Sequence, residues 1–216
     1  MSKTPRTKLR RKPQRGSHDR GVVEAILDEA LVCHLGVTDE NGCPVVTPTL
    51  HARLGEQVYV HGSAASRTLR TARQQEVCLT ATLLDGLVLA RAAMHHSANY
   101  RSVMLFGPGH EIEDPEEKRR ALEALVEKLV PGRWEDVRVP TDKELRATSV
   151  LRIPLEEASA KVRSGPPIDD DADYELPVWA GVVSLRLVAD DPAPDRRLAP
   201  SIECPEYVTD LVQTLR

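Results

Sequence analysis

The sequence predicts a mainly β protein, an antiparallel barrel or strongly curved sheet with a few peripheral helices. Two observations carry this prediction. Three early runs alternate apolar and polar residues with the period of two that gives a strand one buried face, and short turns join them. Helical spacing occurs only in isolated segments, with no strand-helix-strand rhythm of the kind that builds a parallel sheet.

Residues 1–16 hold Lys3, Arg6, Lys8, Arg10, Arg11, Lys12 and Arg15 and no acid, in a chain whose net charge is −4, so the remaining body is acidic. This basic N-terminal arm is expected to lie solvated or docked. With one Phe, two Trp and four Tyr in the chain, aromatic platforms for stacking bases are scarce, and no nucleic-acid partner is expected. Residues 17–30 place Val22, Val23, Ile26, Leu27 and Ala30 on one side of a helix. The run LVCHLGVT (31–38) then alternates as a strand. Asn41-Gly42, two residues that tolerate positive φ, turns the chain into CPVVTPTLHA (43–52), and QVYVHG (57–62) completes a meander.

A short helix is expected over about 65–74. EVCLTATLLDGLVLA reads as one strand or a pair interrupted at Asp85-Gly86, and residues 99–113 as a long strand bent near Gly107-Pro108-Gly109. Asp114-Pro115-Glu116-Glu117 has the cap, proline and acid that open a helix, and Thr141-Asp142-Lys143-Glu144 has the form of a capping box. Residues 149–163 are mostly extended, 165–177 form an acidic loop, 178–189 a final strand, and 191–216 a proline-rich C-terminal tail. The domain proper is therefore 17–190.

No apolar run approaches the roughly 20 residues that span a bilayer, and the basic arm is not followed by the apolar stretch of a signal peptide, so a cytoplasmic protein with no membrane partner is expected. Cys33, Cys43, Cys78 and Cys204 lack CxxC spacing and read as reduced, buried thiols. His95-His96 invites axial ligation of a haem, but hydrogen bonding is the commoner role of such a pair. The run Asp169, Asp170, Asp171 and Asp173 lacks the glycine and terminal glutamate of a calcium loop and reads as solvated. No metal site is expected.

The stretch YVHGSAASRTLRTA (59–72) passes from strand-forming to helix-forming residues through Gly62, Ser63 and Ser66, with Arg67 directly after. Such a junction aims backbone N–H groups, two hydroxyls and a guanidinium at one point, where an anion can bind; the plainer alternative is a helix cap beside a surface charge. Pro48, inside the neighbouring strand, cannot donate to a ladder, so that strand lies at an edge or beside a gap, a place for a flat ligand.

The order CPVVTPTL, VYVHGSAASR, NYRSVMLFG and EASAKVRSGPPIDDDADYELPVWAGV resembles the flavin-nucleotide-binding branch of the pyridoxamine 5′-phosphate oxidase-like superfamily, close to the nitroimidazole-resistance reductases. The similarity covers most of residues 5–190, and the block LLDGLVLARAAMHHSANYRSV is its most specific part. It implies an FMN-binding split β-barrel of about six antiparallel strands in Greek-key order, and a homodimer with FMN between the protomers. By the same resemblance, Val46, Thr47, Pro48, Thr49 and Leu50 line the isoalloxazine ring. Val60, His61, Ser66, Arg67 and Thr68, beside Gly62 and Ser63, hold the ribityl phosphate, Ser102 lies near the flavin, and Trp179 reaches it from the partner. Thr68 and Thr47 stand where true pyridoxamine-phosphate oxidases carry cations, leaving Arg70 or Arg101 to compensate, and the C-terminal Arg-x-His segment is missing, which argues against vitamin B6 oxidation. The implied function is a flavin-dependent oxidoreductase passing electrons from NAD(P)H to a small aromatic or quinone-like substrate. A flavin carrier or sensor without turnover, or the same barrel holding haem or a deazaflavin, is the alternative. His61, Tyr100 and His96 are the proton-exchanging groups expected near the cleft, and none is assigned a catalytic role.

Overall fold

The computed structural model describes residues 1–216. Strand β1 (Gly16–Ser17) leads into helix α1 (Arg20–Glu29), then β2 (Val32–Thr38), β3 (Pro44–Leu54) and β4 (Gln57–Ser63). Helix α2 (Arg67–Ala72) precedes β5 (Glu76–Leu89), β6 (Ser97–Pro108) and the short β7 (His110–Glu111). Helices α3 (Pro115–Leu129) and α4 (Asp142–Ala147) follow, then β8 (Thr148–Pro154), β9 (Glu157–Arg163), β10 (Gly181–Ser184) and α5 (Glu206–Thr214).

Every pairing is antiparallel, in the order β1-β9-β6-β5-β2-β3-β4-β8-β7, with β10 added to β5. The neighbours β2 and β5, β4 and β8, and β6 and β9 are not consecutive in sequence, which is the crossover order of a Greek key. This is the mainly β architecture with peripheral helices that the alternation predicts, and it is consistent with a split barrel. The strand count corrects the expectation: ten strands, not about six. Nor does the sheet close, because β8 runs straight into β9 without pairing to it and leaves a seam.

Helix α1 plugs the curl of the sheet. Asp19 caps it, accepting from the backbone N–H of Val22 at 3.0 Å. Its apolar stripe, Val23, Ile26 and Leu27, is buried against Cys33, Leu35, Leu79, Leu105, Leu151 and Ile153. Each such side chain contributes about 1.5–3 kcal/mol through burial, so this one cluster holds the curl together. Asp85-Gly86 does not interrupt β5; it makes a bulge where the register with β6 shifts.

The N-terminal arm takes the docked of its two expected states, and the C-terminal end differs from expectation. The basic arm docks: Ser2 donates its N–H to Glu156 O at 2.8 Å, Arg6 lies 5.1 Å from the centre of the Phe106 ring and pairs with Glu76 and Glu157, and Thr7 is buried. Of residues 178–189, only β10 makes a ladder, and the tail carries α5, whose Tyr207, Val208, Leu211 and Val212 recur at helical spacing. Cys33 is buried, which pushes its thiol up to about 12, whereas Cys43 and Cys204 are exposed, against the expectation of four buried thiols. No helix is long and apolar enough to cross a membrane.

At the junction of β6 and β7, a Cβ on Gly109 would come within 2.5 Å of the Ala72 carbonyl oxygen at the end of α2. That neighbour is backbone and cannot swing aside. Gly109→Ala is expected to cost about 1–3 kcal/mol of stability, read as a lower urea midpoint with unchanged m.

Candidate functional site

Strand β3 pairs with β2 over residues 44–50 but with β4 only from His51 to Leu54. Beyond Val60, β4 continues to Ser63 with β8 alone on its side. The wall therefore opens along the half of β3 that holds Pro48, which lacks the N–H a two-sided ladder requires. Helix α2 sits over this gap. It approaches closely because residue 62 is Gly: a Cβ there would lie 2.9 Å from Leu69 Cδ1.

The turn into α2 spends its serines on itself. Ser66 accepts from Leu69 N–H at 3.4 Å as the helix cap, Ser63 Oγ accepts from Ala65 N–H at 3.2 Å, and the Ser63 carbonyl accepts from Ser66 N–H at 2.8 Å. This is the plainer of the two readings offered for those hydroxyls. Arg67 and Arg70 remain available: both are exposed, neither pairs with a carboxylate, and both line a polar pocket of about 500 Å³ whose other walls include Thr38, Gln74 and the acids Asp39 and Glu40. Thr68 Oγ1 meets Thr47 Oγ1 at 3.1 Å and ties the helix to the open edge of β3.

On the other side of the gap lies an apolar groove of about 460 Å³ between the parted strands and α3. Leu50, Leu122, Leu125, Val126, Leu129 and Trp134 line it, Arg138 and Glu144 stand at its edge, and His61 faces it. His61 is half-buried, its Nδ1 is shielded from solvent without a hydrogen-bond partner, and burial lowers its pKa. Helical spacing identifies the α3 stripe, but not that Leu122, Val126 and Leu129 stay partly uncovered beside a cavity while Ala121 and Leu125 enter the core. The groove's lining was thus missed at the sequence level apart from Leu50 and His61.

The structure gathers Thr47, Leu50, His61, Gly62, Ser63, Ser66, Arg67 and Thr68 around one opening. Thr49 borders it and donates to the Leu50 carbonyl at 3.3 Å, and Val46 and Pro48 project into solvent from the same strand half. Other expected site residues lie elsewhere. Val60 is 0% exposed in the core. Arg101 is clamped between Glu29 and Asp85, with Nη2 2.8 Å from each carboxylate, which raises its pKa and removes it as a free cation. Ser102, on β6, donates to the Lys161 carbonyl at 3.3 Å, three strands away from β3. Trp179 is 69% exposed and stacks its ring over Gly181.

Beneath the groove, Lys128 reaches inward from α3. Its Nζ donates to the Leu27 carbonyl at 2.7 Å and lies 3.0 Å from His51 Nε2, which is itself 2.9 Å from the same carbonyl, while His51 Nδ1 has no partner. His51 is 1% exposed; burial, then the Lys128 charge, lowers it to about 4, and burial lowers Lys128 to about 8. A second buried polar knot corrects the reading of the acidic run. Asp169 is buried, and its carboxylate accepts from the N–H groups of Arg91 at 3.1 Å and Ala92 at 3.4 Å and lies 3.4 Å from His95 Nδ1. Burial raises its pKa, but these bonds outweigh that and hold it below the usual range. His95, Asp170 and Asp173 bring ligand atoms within 4.8 Å of one another, but the His95 ring is committed to Asp169 and Asp170 faces solvent.

The family model described as pyridoxamine 5′-phosphate oxidase matches residues 19–162, from the cap of α1 to the end of β9. The chain belongs to the pyridoxamine 5′-phosphate oxidase family. Its solved neighbours include the flavocytochrome Anf3 from Azotobacter vinelandii, 43% identical, with 96% of each chain covered and a TM-score of 0.91. A FAD and haem binding protein from Mycobacterium smegmatis is 32% identical over 92% of this chain and 97% of its own, with a TM-score of 0.87. A protein described as a 5-nitroimidazole antibiotic resistance protein, from Bacteroides thetaiotaomicron, is 27% identical over 68% of this chain and 86% of its own, with a TM-score of 0.58. No curated protein matches the chain. The first two similarities extend beyond the stretch matched by the family model, outside which this pyridoxamine 5′-phosphate oxidase family member adds β1 and β10 to its sheet.

The His51 knot gives a pH dependence with a definite sign. Folded His51 stays neutral down to about pH 4, whereas in the unfolded chain it binds a proton below about 6.5, so the unfolded state holds more protons in that window. Stability is therefore full above pH 6.5 and falls toward pH 4, by on the order of 3 kcal/mol from this group. Urea unfolding from pH 7 to 4 is expected to show a shallower loss for His51→Gln than for the unsubstituted protein.

Proposed function

We propose that this protein is a flavin- and haem-binding oxidoreductase that takes electrons from NAD(P)H and delivers them to a small aromatic or quinone-like acceptor. The observation that carries the reading is the near full-length likeness to two proteins, one a flavocytochrome and the other a FAD and haem binding protein, combined with an opening that has two chemically different sides. A bound flavin supplies hydride and single-electron chemistry, and a bound haem supplies single-electron chemistry.

The residues fit a flavin at the open edge of β3. Thr47 and Thr49 offer hydroxyls, the unpaired half of β3 offers backbone groups to a flat polar ring, and Arg67 and Arg70 offer two uncommitted guanidinium forks to phosphate. Helix α2 has six residues, so its dipole adds little and the arginines carry the anion binding. FMN is the cofactor expected from sequence. Two adjacent arginines suit a diphosphate at least as well, and the Mycobacterium smegmatis relative names FAD, so we take the dinucleotide as the reading that fits the cations.

We further propose a homodimer with the flavin between protomers. Support comes from the outer sheet face, where Val32, Val46, Leu84 and Met104 are exposed in one array across β2, β3, β5 and β6, an unusually apolar surface for a lone molecule.

Two measurements test this reading. Chromatography of the pigment released by heat is expected to show FAD, and absence of any flavin after growth in riboflavin-rich medium would overturn it. Arg67→Ala is expected to weaken flavin binding at least tenfold in a fluorescence titration, the loss of one charge-assisted contact of about 1.5–3 kcal/mol. Unchanged affinity would remove Arg67 from the phosphate site.

A further inference from the structure

The apolar groove between β3, β4 and α3 differs in kind from the edge where the flavin is proposed to bind. Most of its lining is Leu, Val and Trp, with few donors or acceptors. A flavin ring placed there would bury carbonyl and N–H groups without partners, a cost of about 1–3 kcal/mol for each such group. A porphyrin makes the opposite demand: apolar walls for its faces, one nitrogen for its metal, and charge or solvent at one edge for its carboxylates. The groove meets all three, with Leu50, Leu122, Val126 and Leu129 as walls, a single imidazole, and a mouth open to solvent where Arg138 stands paired with Glu144.

The identity of that imidazole follows from the seven histidines of the chain. His51 is sealed in the core and bonded to Lys128 and Leu27. His95 and His96 sit between β5 and β6 and do not line the groove. His34 and His110 stand exposed on strands, outside the groove. His18 lines a cationic pocket with Lys3, Lys8 and Arg10. Only His61 faces apolar walls, and no hydrogen bond commits its ring.

We infer that the groove is the haem pocket of this protein and that His61 is the axial ligand. This rests on the flavin- and haem-binding reading above and adds to it the place and the ligand. Residue 61 also follows the last β4 residue that pairs with β3, so the parting of the strands exposes its side chain to the groove.

The test uses the full-length protein titrated with hemin. The unsubstituted chain is expected to develop a Soret band at one hemin per chain. His61→Ala is expected to lose at least tenfold in hemin affinity, with its Soret position restored by millimolar imidazole. His96→Ala is expected to behave as the unsubstituted protein. Val126→Trp, which fills the groove from α3 without touching the core cluster, is expected to block hemin uptake while retaining flavin, and covers the case in which His61→Ala fails to fold. If the unsubstituted protein takes up hemin and both His61→Ala and Val126→Trp bind it with the same spectrum and affinity, the placement is wrong while haem binding stands. If the unsubstituted protein binds flavin but no hemin, the haem half of the proposed function falls, and this inference with it.

Discussion

The parting of β3 from β4 beyond His51 and Val60 is the constraint on which the rest depends. A sheet that stayed paired along its full length would close its wall over the core and leave neither an edge nor a groove. The parting has a covalent cause and a packing cause. Pro48 withholds the donor a continuous ladder would use, and Leu69, nested against Gly62, draws the end of β4 toward α2 and away from β3. Backbone groups left unpaired on β3 are tolerable only where water or a ligand can satisfy them. An opening of this kind is therefore a binding site in physical terms before any side chain is considered.

Lys128 ties α3 to the barrel. By donating to the Leu27 carbonyl on α1 and lying 3.0 Å from His51 Nε2 on β3, it fixes one point of α3 against the plug and the strands. Burying an ammonium is costly, and here the depressed pKa values of Lys128 and His51 are the trace of that cost. An apolar residue at 128 would pack more cheaply but would make neither contact. Arg101 likewise ties elements together, its two carboxylates joining α1 to β5 and β6.

Where local chemistry decides the structure, the sequence was legible. Alternation with Asn41-Gly42 predicts the β2-β3 hairpin, Asp114-Pro115 predicts the start of α3, and Pro48 predicts the gap. Where the deciding partner lies far along the chain, it was not. Nothing near residue 101 announces Glu29, and nothing near residue 128 announces His51 and Leu27, so one arginine was expected to compensate at a phosphate and the lysine drew no expectation. Helix α5 was hidden by the prolines at 192, 194, 200 and 205, which suppress helix up to its first turn and not within it. The acidic run concealed Asp169 because three solvated neighbours set the character of the segment, while the buried one organises it.

The two sides of the opening also explain why Leu50 and His61 fall among residues that a resemblance to flavin proteins singles out, yet face an apolar groove in this structure. Both stand at the point where the strands separate, so either side of the gap can recruit them by small changes in the helix that covers it. In this chain α3 presents Leu, Val and Leu to that point, and Trp134 and Val137 follow, which removes the polar partners a flavin ring needs. The polar functions are moved to Thr47, Thr68 and the arginines of α2 on the opposite side. The two surfaces thus lie toward opposite ends of the open half of β3, the polar one beside the β2-β3 turn and α2, the dry one beside Leu50 and α3.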